Sequence, residues 1–293
     1  MKFHEKIKLN FKPIVNLTLK IDAFLFSAIS ILLVFITWID LKIFNVLEKI
    51  LIFVSIIIFS FLLSTILIVS ILERKCLWAN GKNKVLAFYG DIFEINKTKD
   101  KKIIVIPVND TFETIIDENL TQNNPLVSLK TIHGQWLKYM NELGYDYIAL
   151  NKLIETDLKN RNINPIREYS KKDKPRGNTK SYPLGSIITI SGKNDTTFYL
   201  IAISCFDKNN RATTSRKNIR NCVDDLLEFY DKNGQEYPIY IPLFGTGRSR
   251  ADLNHQQAFK IIKSSILTDE QHLHGTINIV VFTEDKDKVS IFK

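Results

Sequence analysis

IYIPLFGTGRSRADLNHQQAFKIIKSSI, residues 239–266, is the stretch on which the fold reading turns. Its first six residues are almost wholly apolar, as in a strand covered on both faces of a sheet. GTG follows at 245–247, and beyond Asp252 the residues Ala258, Ile261, Ile262 and Ile266 recur at helical spacing. A buried strand, a glycine loop and an amphipathic helix form part of an α/β unit, in which ligands gather beyond the carboxyl end of the strand. Two glycines let main-chain amides approach an anion, and the helix dipole adds positive potential. Thr246 and Ser249 supply hydroxyls, and Arg248 and Arg250 supply charge. The same residues also suit a plain tight turn into a helix capped by Ser249 or Asp252. Neither a Walker loop nor a GxGxxG fingerprint is present.

Working outward, strand-like runs lie at Val85–Tyr89, Lys102–Val108, Gly185–Ile190, Thr197–Cys205, Tyr237–Leu243 and Thr276–Phe282. Helical patterns fall between them: about Leu129–Leu143, Tyr147–Leu158, and a third carrying Ile219, Cys222, Val223, Leu226 and Tyr230. Alternating strands and helices predict an α/β domain with a mixed, largely parallel sheet sandwiched by helices. The segment from Asn160 to Tyr182 is polar and turn-rich, and reads as a long loop or insertion. Two more strand ends carry polar residues: Gly90-Asp91-Ile92 after VLAFY, and Asn109-Asp110-Thr111 after IIVIPV. Asp91 suits an exocyclic amine or a simple turn, and Asn109 suits a ribose hydroxyl or a cap.

The amino-terminal region differs in kind. No charge occurs between Ala23 and Ile39, or between Ile50 and Leu72. At about 1.5 Å per residue the second run covers roughly 34 Å, enough for a bilayer core of about 30 Å. The expected organisation is a basic amino terminus over 1–20, a hairpin of two transmembrane helices at about 21–41 and 50–72, a juxtamembrane linker at 73–82 and the α/β domain at 83–293. Lysines before the first run, and Arg74, Lys75, Lys82 and Lys84 after the second, put both termini on the cytoplasmic side of the inner membrane. Of the net charge of +9, part is explained by these flanks; the remaining cations are scattered, which argues against nucleic acid as a partner. Three cysteines without paired spacing argue against a metal site.

With GDI at 90–92, IPVN at 106–109 and PLFGTG at 242–247 in this order, the soluble part resembles a macro domain, the ADP-ribose-binding fold. VNDTFET at 108–114, IHGQW at 132–136 and PLGSIITI at 183–190 are similar to the macro-domain effectors of type II Thoeris antiphage systems, which also begin with two transmembrane helices. The resemblance implies a sensor that is not an enzyme and has no cofactor, binding an ADP-ribose-type second messenger. That messenger would be a histidine conjugate of ADP-ribose made by a TIR-domain partner. Binding would drive homo-oligomerisation and disruption of the lipid bilayer. By the same resemblance Asp91 and the Ile92 amide would receive adenine; Asn109, Asp110 and Thr111 would meet the ribose; and Phe244, Gly245, Thr246, Gly247, Arg248 and Ser249 would wrap the diphosphate. Gly185 would form the opposite wall and His133 the distal end. The sequence lacks the VNAAN ending of ADP-ribose-hydrolysing macro domains, so a membrane-tethered ADP-ribosyl hydrolase is the alternative rather than the first expectation.

Overall fold

The computed structural model describes residues 3–33, 45–117, 126–207, 209–246, 251–268 and 273–293. The chain divides into two compact units, Met1–Lys75 with Asp287–Lys293, and Cys76–Lys286.

The first unit contains helices α1 (Phe3–Leu33) and α2 (Val46–Ile66), the second running on into a π-helical stretch at Leu67–Ile71. Asn45 starts α2 through a capping box: its carboxamide accepts from the Glu48 amide at 2.9 Å, and the Glu48 carboxylate accepts from the Asn45 amide at 2.8 Å. Phe26 stacks on Phe53 with ring centroids 5.2 Å apart, and Ile14 packs with Ile68 and Val69. Both helices are long and apolar enough to cross a membrane. α1 takes in most of the stretch expected as a basic tail: Lys8, Lys12 and Lys20 are exposed on it, Lys6 is half-buried, and the buried side carries Ile14 together with Asn10, Thr18 and Asp22. Residues 34–41 of the expected first span lie outside those described. The carboxyl-terminal residues belong to this unit too: Phe292 packs on the Ile14 cluster, Lys6 pairs with Asp287 at 2.9 Å, and the Lys75 ammonium donates to the Phe292 carbonyl at 2.7 Å.

The second unit is built on a sheet in the order β1-β2-β10-β9-β3-β7-β6, with β8 added beside β7. In chain order these are β1 (Arg74–Asn80), β2 (Asn83–Tyr89), β3 (Lys102–Asn109), β6 (Ile187–Ser191), β7 (Thr196–Phe206), β8 (Ala212–Thr213), β9 (Ile239–Pro242) and β10 (Thr276–Val281). β4 (Arg167–Glu168) and β5 (Lys180–Ser181) form a separate antiparallel pair. The neighbours from β2 to β7 pair in parallel, and β6 and β8 run antiparallel to β7. β1 occupies most of the expected linker. Its residues, RKCLWAN, are exposed or half-buried, so they lack the unbroken apolar signature of the central strands.

The helices are α3 (Ile92–Ile95), α4 (Ile132–Glu142), α5 (Tyr147–Asn160), α6 (Arg216–Asn233) and α7 (His255–Thr268). Phe198 and Leu200 of β7 join a core with Trp136, Leu137 and Met140 of α4 and Leu150, Ile154 and Leu158 of α5. Tyr199, between them in sequence, points the other way and meets Phe229 of α6 edge to face, with centroids 5.0 Å apart. Helices therefore cover both faces of the sheet, as the continuous apolar runs require. α7 begins at His255, not near Asp252. Asn254 caps it in a reciprocal pair with Gln257, at 2.9 Å and 3.0 Å, and Asp252 instead has a left-handed backbone with φ 51°.

The polar stretch 160–182 is no passive loop. Asn178 donates from one amide to the carbonyls of Thr111 and Phe112 and to Asn151, at 3.2, 3.0 and 3.0 Å. The Asn178 main-chain amide reaches the buried Glu113 carboxylate at 2.7 Å, and Arg176 grips Asp117 with two nitrogens at 3.0 and 2.6 Å. Burial alone would raise the Asp117 carboxyl, but Arg176 and the Leu126 amide outweigh it and hold the group low. These bonds fasten the chain that follows β3.

Candidate functional site

A cavity of about 490 Å³ opens beyond the carboxyl ends of β2, β3, β7, β9 and β10, within the range of small-molecule sites. Each strand end delivers residues to it: Gly90 and Asp91 after β2, Asn109 at the end of β3, Ser204 and Phe206 in β7, Phe244 to Thr246 after β9, and Phe282 after β10.

Asn109 is placed by a bulge. Val108 pairs with Ala202 but Asn109 pairs with Ser204, so Ile203 is the extra residue and the end of the ladder turns. The Asn109 side-chain oxygen accepts from the Thr111 amide, the Thr111 hydroxyl and the Glu113 amide, at 3.1, 2.8 and 3.2 Å. Three donors fix the orientation of the amide, and its Nδ2 has no partner among the described residues. A donor of this largely buried residue is thus left at the cavity wall.

Asp91 caps the one-turn helix α3 and accepts from the Phe93 amide at 2.8 Å. One carboxylate oxygen serves as the cap, leaving the other. Ile92 stands at the first helical position, where the amide has no intrahelical acceptor. Gly245 is buried with φ 89°, and a Cβ there would sit 3.2 Å from Ile219. The backbone can follow this path next to the cavity because the residue is glycine. Gly247, Arg248 and Ser249 lie outside the described residues.

Three expected residues do other work. Both Asp110 oxygens are taken, one by the Phe206 amide at 2.8 Å and the other by the Ser181 hydroxyl. Burial pushes this carboxyl up, and the bonds from Ser181 and Phe206 together with the Lys174 ammonium pull against it. Lys174 is itself fully buried, donating to the Asn178 carbonyl at 2.6 Å. Asp110 and Thr111 do not line the cavity; they tie the turn after β3 together. Gly185 is also absent from the wall. It has φ 86° and presses on Asp225 of α6, where a Cβ would fall 1.9 Å from a carboxylate oxygen.

His133 does line the cavity. Burial pushes its imidazole down to about 3, against a hydrogen bond with the Glu113 backbone, so it is neutral at pH 7. The folded protein therefore binds fewer protons here than the unfolded chain between about pH 3 and 6.5, and stability falls as pH drops through that window. In urea titrations at pH 7 and pH 5, His133→Gln is expected to lose less stability on acidification than the wild type does.

Sequence reasoning missed Ser128, Lys130, Thr131, Arg211 and Phe282, all on the cavity wall. Phe282 was within reach, since it directly follows a strand. Ser128 and Thr131 were not, because their placement depends on the clamp from Arg176 and Asn178. Thr131 caps α4 by accepting from the Gly134 amide at 3.0 Å, and its hydroxyl donates to the Ser128 carbonyl at 2.7 Å. Lys130 and Arg211 add exposed cations around the opening. Among the described residues the cavity thus combines apolar walls, main-chain donors, one orphan amide and two cations.

The family model described as Thoeris protein ThsA, Macro domain, matches residues 85–282. Thoeris protein ThsA of Bacillus amyloliquefaciens (strain Y2) is 25% identical over 211 residues, covering 70% of this chain and 64% of that protein. The chain thus aligns with just under two thirds of that relative. Among solved structures, a mutant Oceanobacillus iheyensis macrodomain is similar at 14% identity and TM-score 0.46, covering 73% of this chain and 88% of that one. A second mutant of it, solved with ADPR, gives 14% and 0.45, covering 73% and 92%. With two thirds of its length matched by the family model, this chain belongs to the Thoeris ThsA macro-domain family.

Proposed function

We propose that this chain is the membrane effector of an antiphage defence system. Its cytosolic macro domain binds an ADP-ribose-type second messenger, a histidine conjugate of ADP-ribose made by a TIR-domain partner. The bound state favours a multimer, and the multimer disrupts the inner membrane. The observation that carries the reading is the cavity at the strand ends, with Asn109 Nδ2 left unpartnered where a ribose hydroxyl would accept and the Gly245-Thr246 turn where a diphosphate would lie. Lys130 and Arg211 supply charge for the phosphates.

One further feature supports the effector part. α2 buries only Ser60, Ser64 and Thr65, while Ile50, Leu51, Ile58, Phe59 and Leu62 face outward. A water-soluble pair would bury the second set, so this inverted arrangement suits lipid. Binding is favoured over hydrolysis because neither Asp110 oxygen is available to orient a water.

The test is to mix full-length protein with ADP-ribosylated protein substrate and, separately, with dye-loaded vesicles and ADP-ribose. Nucleotide retained at one equivalent, with ligand-dependent leakage, is the expected outcome. Free ADP-ribose released with turnover and no leakage would replace the effector with the hydrolase.

A further inference from the structure

The exposed face of α1 is unlike that of α2. Lys8, Lys12, Asn16 and Lys20 follow at intervals of four, and Ser27 and Ser30 continue the same side; all are exposed. Glu5, at the amino-terminal end of the stripe, is its single acid, since Asp22 is buried on the other side of the helix. The Ser27 and Ser30 hydroxyls donate to the carbonyls of Ala23 and Phe26 at 2.7 and 2.8 Å, which lets them stand within an apolar segment.

Helix register fixes how deep this stripe lies. Phe26 stacks on Phe53 and Ile14 packs with Ile68 and Val69. Lys20, midway between Phe26 and Ile14, therefore runs alongside the middle of the charge-free segment Ile50–Leu72. Lys8 and Lys12 lie close enough to the end for their ammonium groups to reach the headgroups, but Lys20 does not. An ionised group at that depth faces a water-filled space or a partner, not lipid tails.

We propose that, in the assembled state, α1 lines a water-filled conduit that prefers small anions such as chloride, with α2 as its lipid-facing outer wall; this rests on the membrane-effector reading above. Three lysines against one acid set the sign of the preference, and Lys20, the deepest, sets most of its size. Chloride enters from bulk water and leaves on the far side, with no covalent step.

The experiment uses full-length protein in planar bilayers under a KCl gradient. It is triggered by ADP-ribose or, without nucleotide, by a raised protein-to-lipid ratio. The wild type is expected to give discrete current steps with a reversal potential on the chloride side. Lys20→Gln should bring that potential close to zero and Lys20→Glu should move it to the potassium side. Circular dichroism of each variant checks that the exposed substitution leaves the helices formed. Steps whose reversal potential ignores Lys20→Glu would overturn the α1 lining, as would graded leakage without steps, and both leave the membrane-effector reading standing. Silence under both triggers would remove that reading and this inference together.

Discussion

Replacing Asn109 with alanine is expected to cost about 2 to 4 kcal/mol of domain stability and to abolish nucleotide binding, because the substitution leaves three buried donors without an acceptor. Those donors are the Thr111 amide and hydroxyl and the Glu113 amide, and they shape the turn after β3. Asn109→Asp separates the two losses. It keeps the acceptor, so the fold should persist, but it replaces the Nδ2 donor with an oxygen and adds negative charge near the phosphates. Affinity for ADP-ribose should then fall by roughly a hundredfold or more, about 2.7 kcal/mol. Urea unfolding and calorimetry on both variants check this. Wild-type affinity in Asn109→Asp would show that the orphan donor does not meet the ligand.

Gly134→Ala is the second large effect. A Cβ at Gly134 would sit 2.1 Å from the Ser128 carbonyl oxygen and 2.6 Å from its carbon, and neither is the end of a flexible side chain. The first turn of α4 must shift, dragging Thr131 and His133 from the cavity wall. A cost of about 3 kcal/mol or more is expected, seen as a midpoint lowered by roughly 6–12 °C in thermal melts of the domain transition. Gly144→Ala is the control. Nothing lies within 4 Å of a Cβ there, so only its left-handed backbone, φ 93°, opposes the change, at about 1 kcal/mol. Equal losses in the two variants would mean that the approach of α4 to Ser128 is not what the glycine permits.

The central strands were legible because a parallel sheet covered on both faces leaves unbroken apolar runs, and Asp91, Asn109 and Gly245 were legible because each follows such a run. β1 was not, since an edge strand of mixed polarity carries no such signature. The start of α7 is carried by Asn254 and Gln257, which have the spacing of a capping box, whereas Asp252, an equally good cap by residue type, has a left-handed backbone before the helix. Asp110 and Gly185 show a different limit. An acid next to a cavity-facing Asn looks like a site residue in sequence, but only coordinates show its oxygens bonded to Ser181 and Phe206. Nothing local says that Gly185 serves the approach of Asp225. The clamp from Asn178 to Thr111 and Phe112 joins residues more than sixty positions apart, and its partners are individually ordinary polar side chains.

One titration bears most directly on the claim that the strand-end cavity is a nucleotide sensor. Full-length protein in detergent, titrated calorimetrically with ADP-ribose, should bind one equivalent per chain, with unaltered nucleotide recovered afterwards. No heat at millimolar nucleotide, or recovery of a cleaved product, would contradict it.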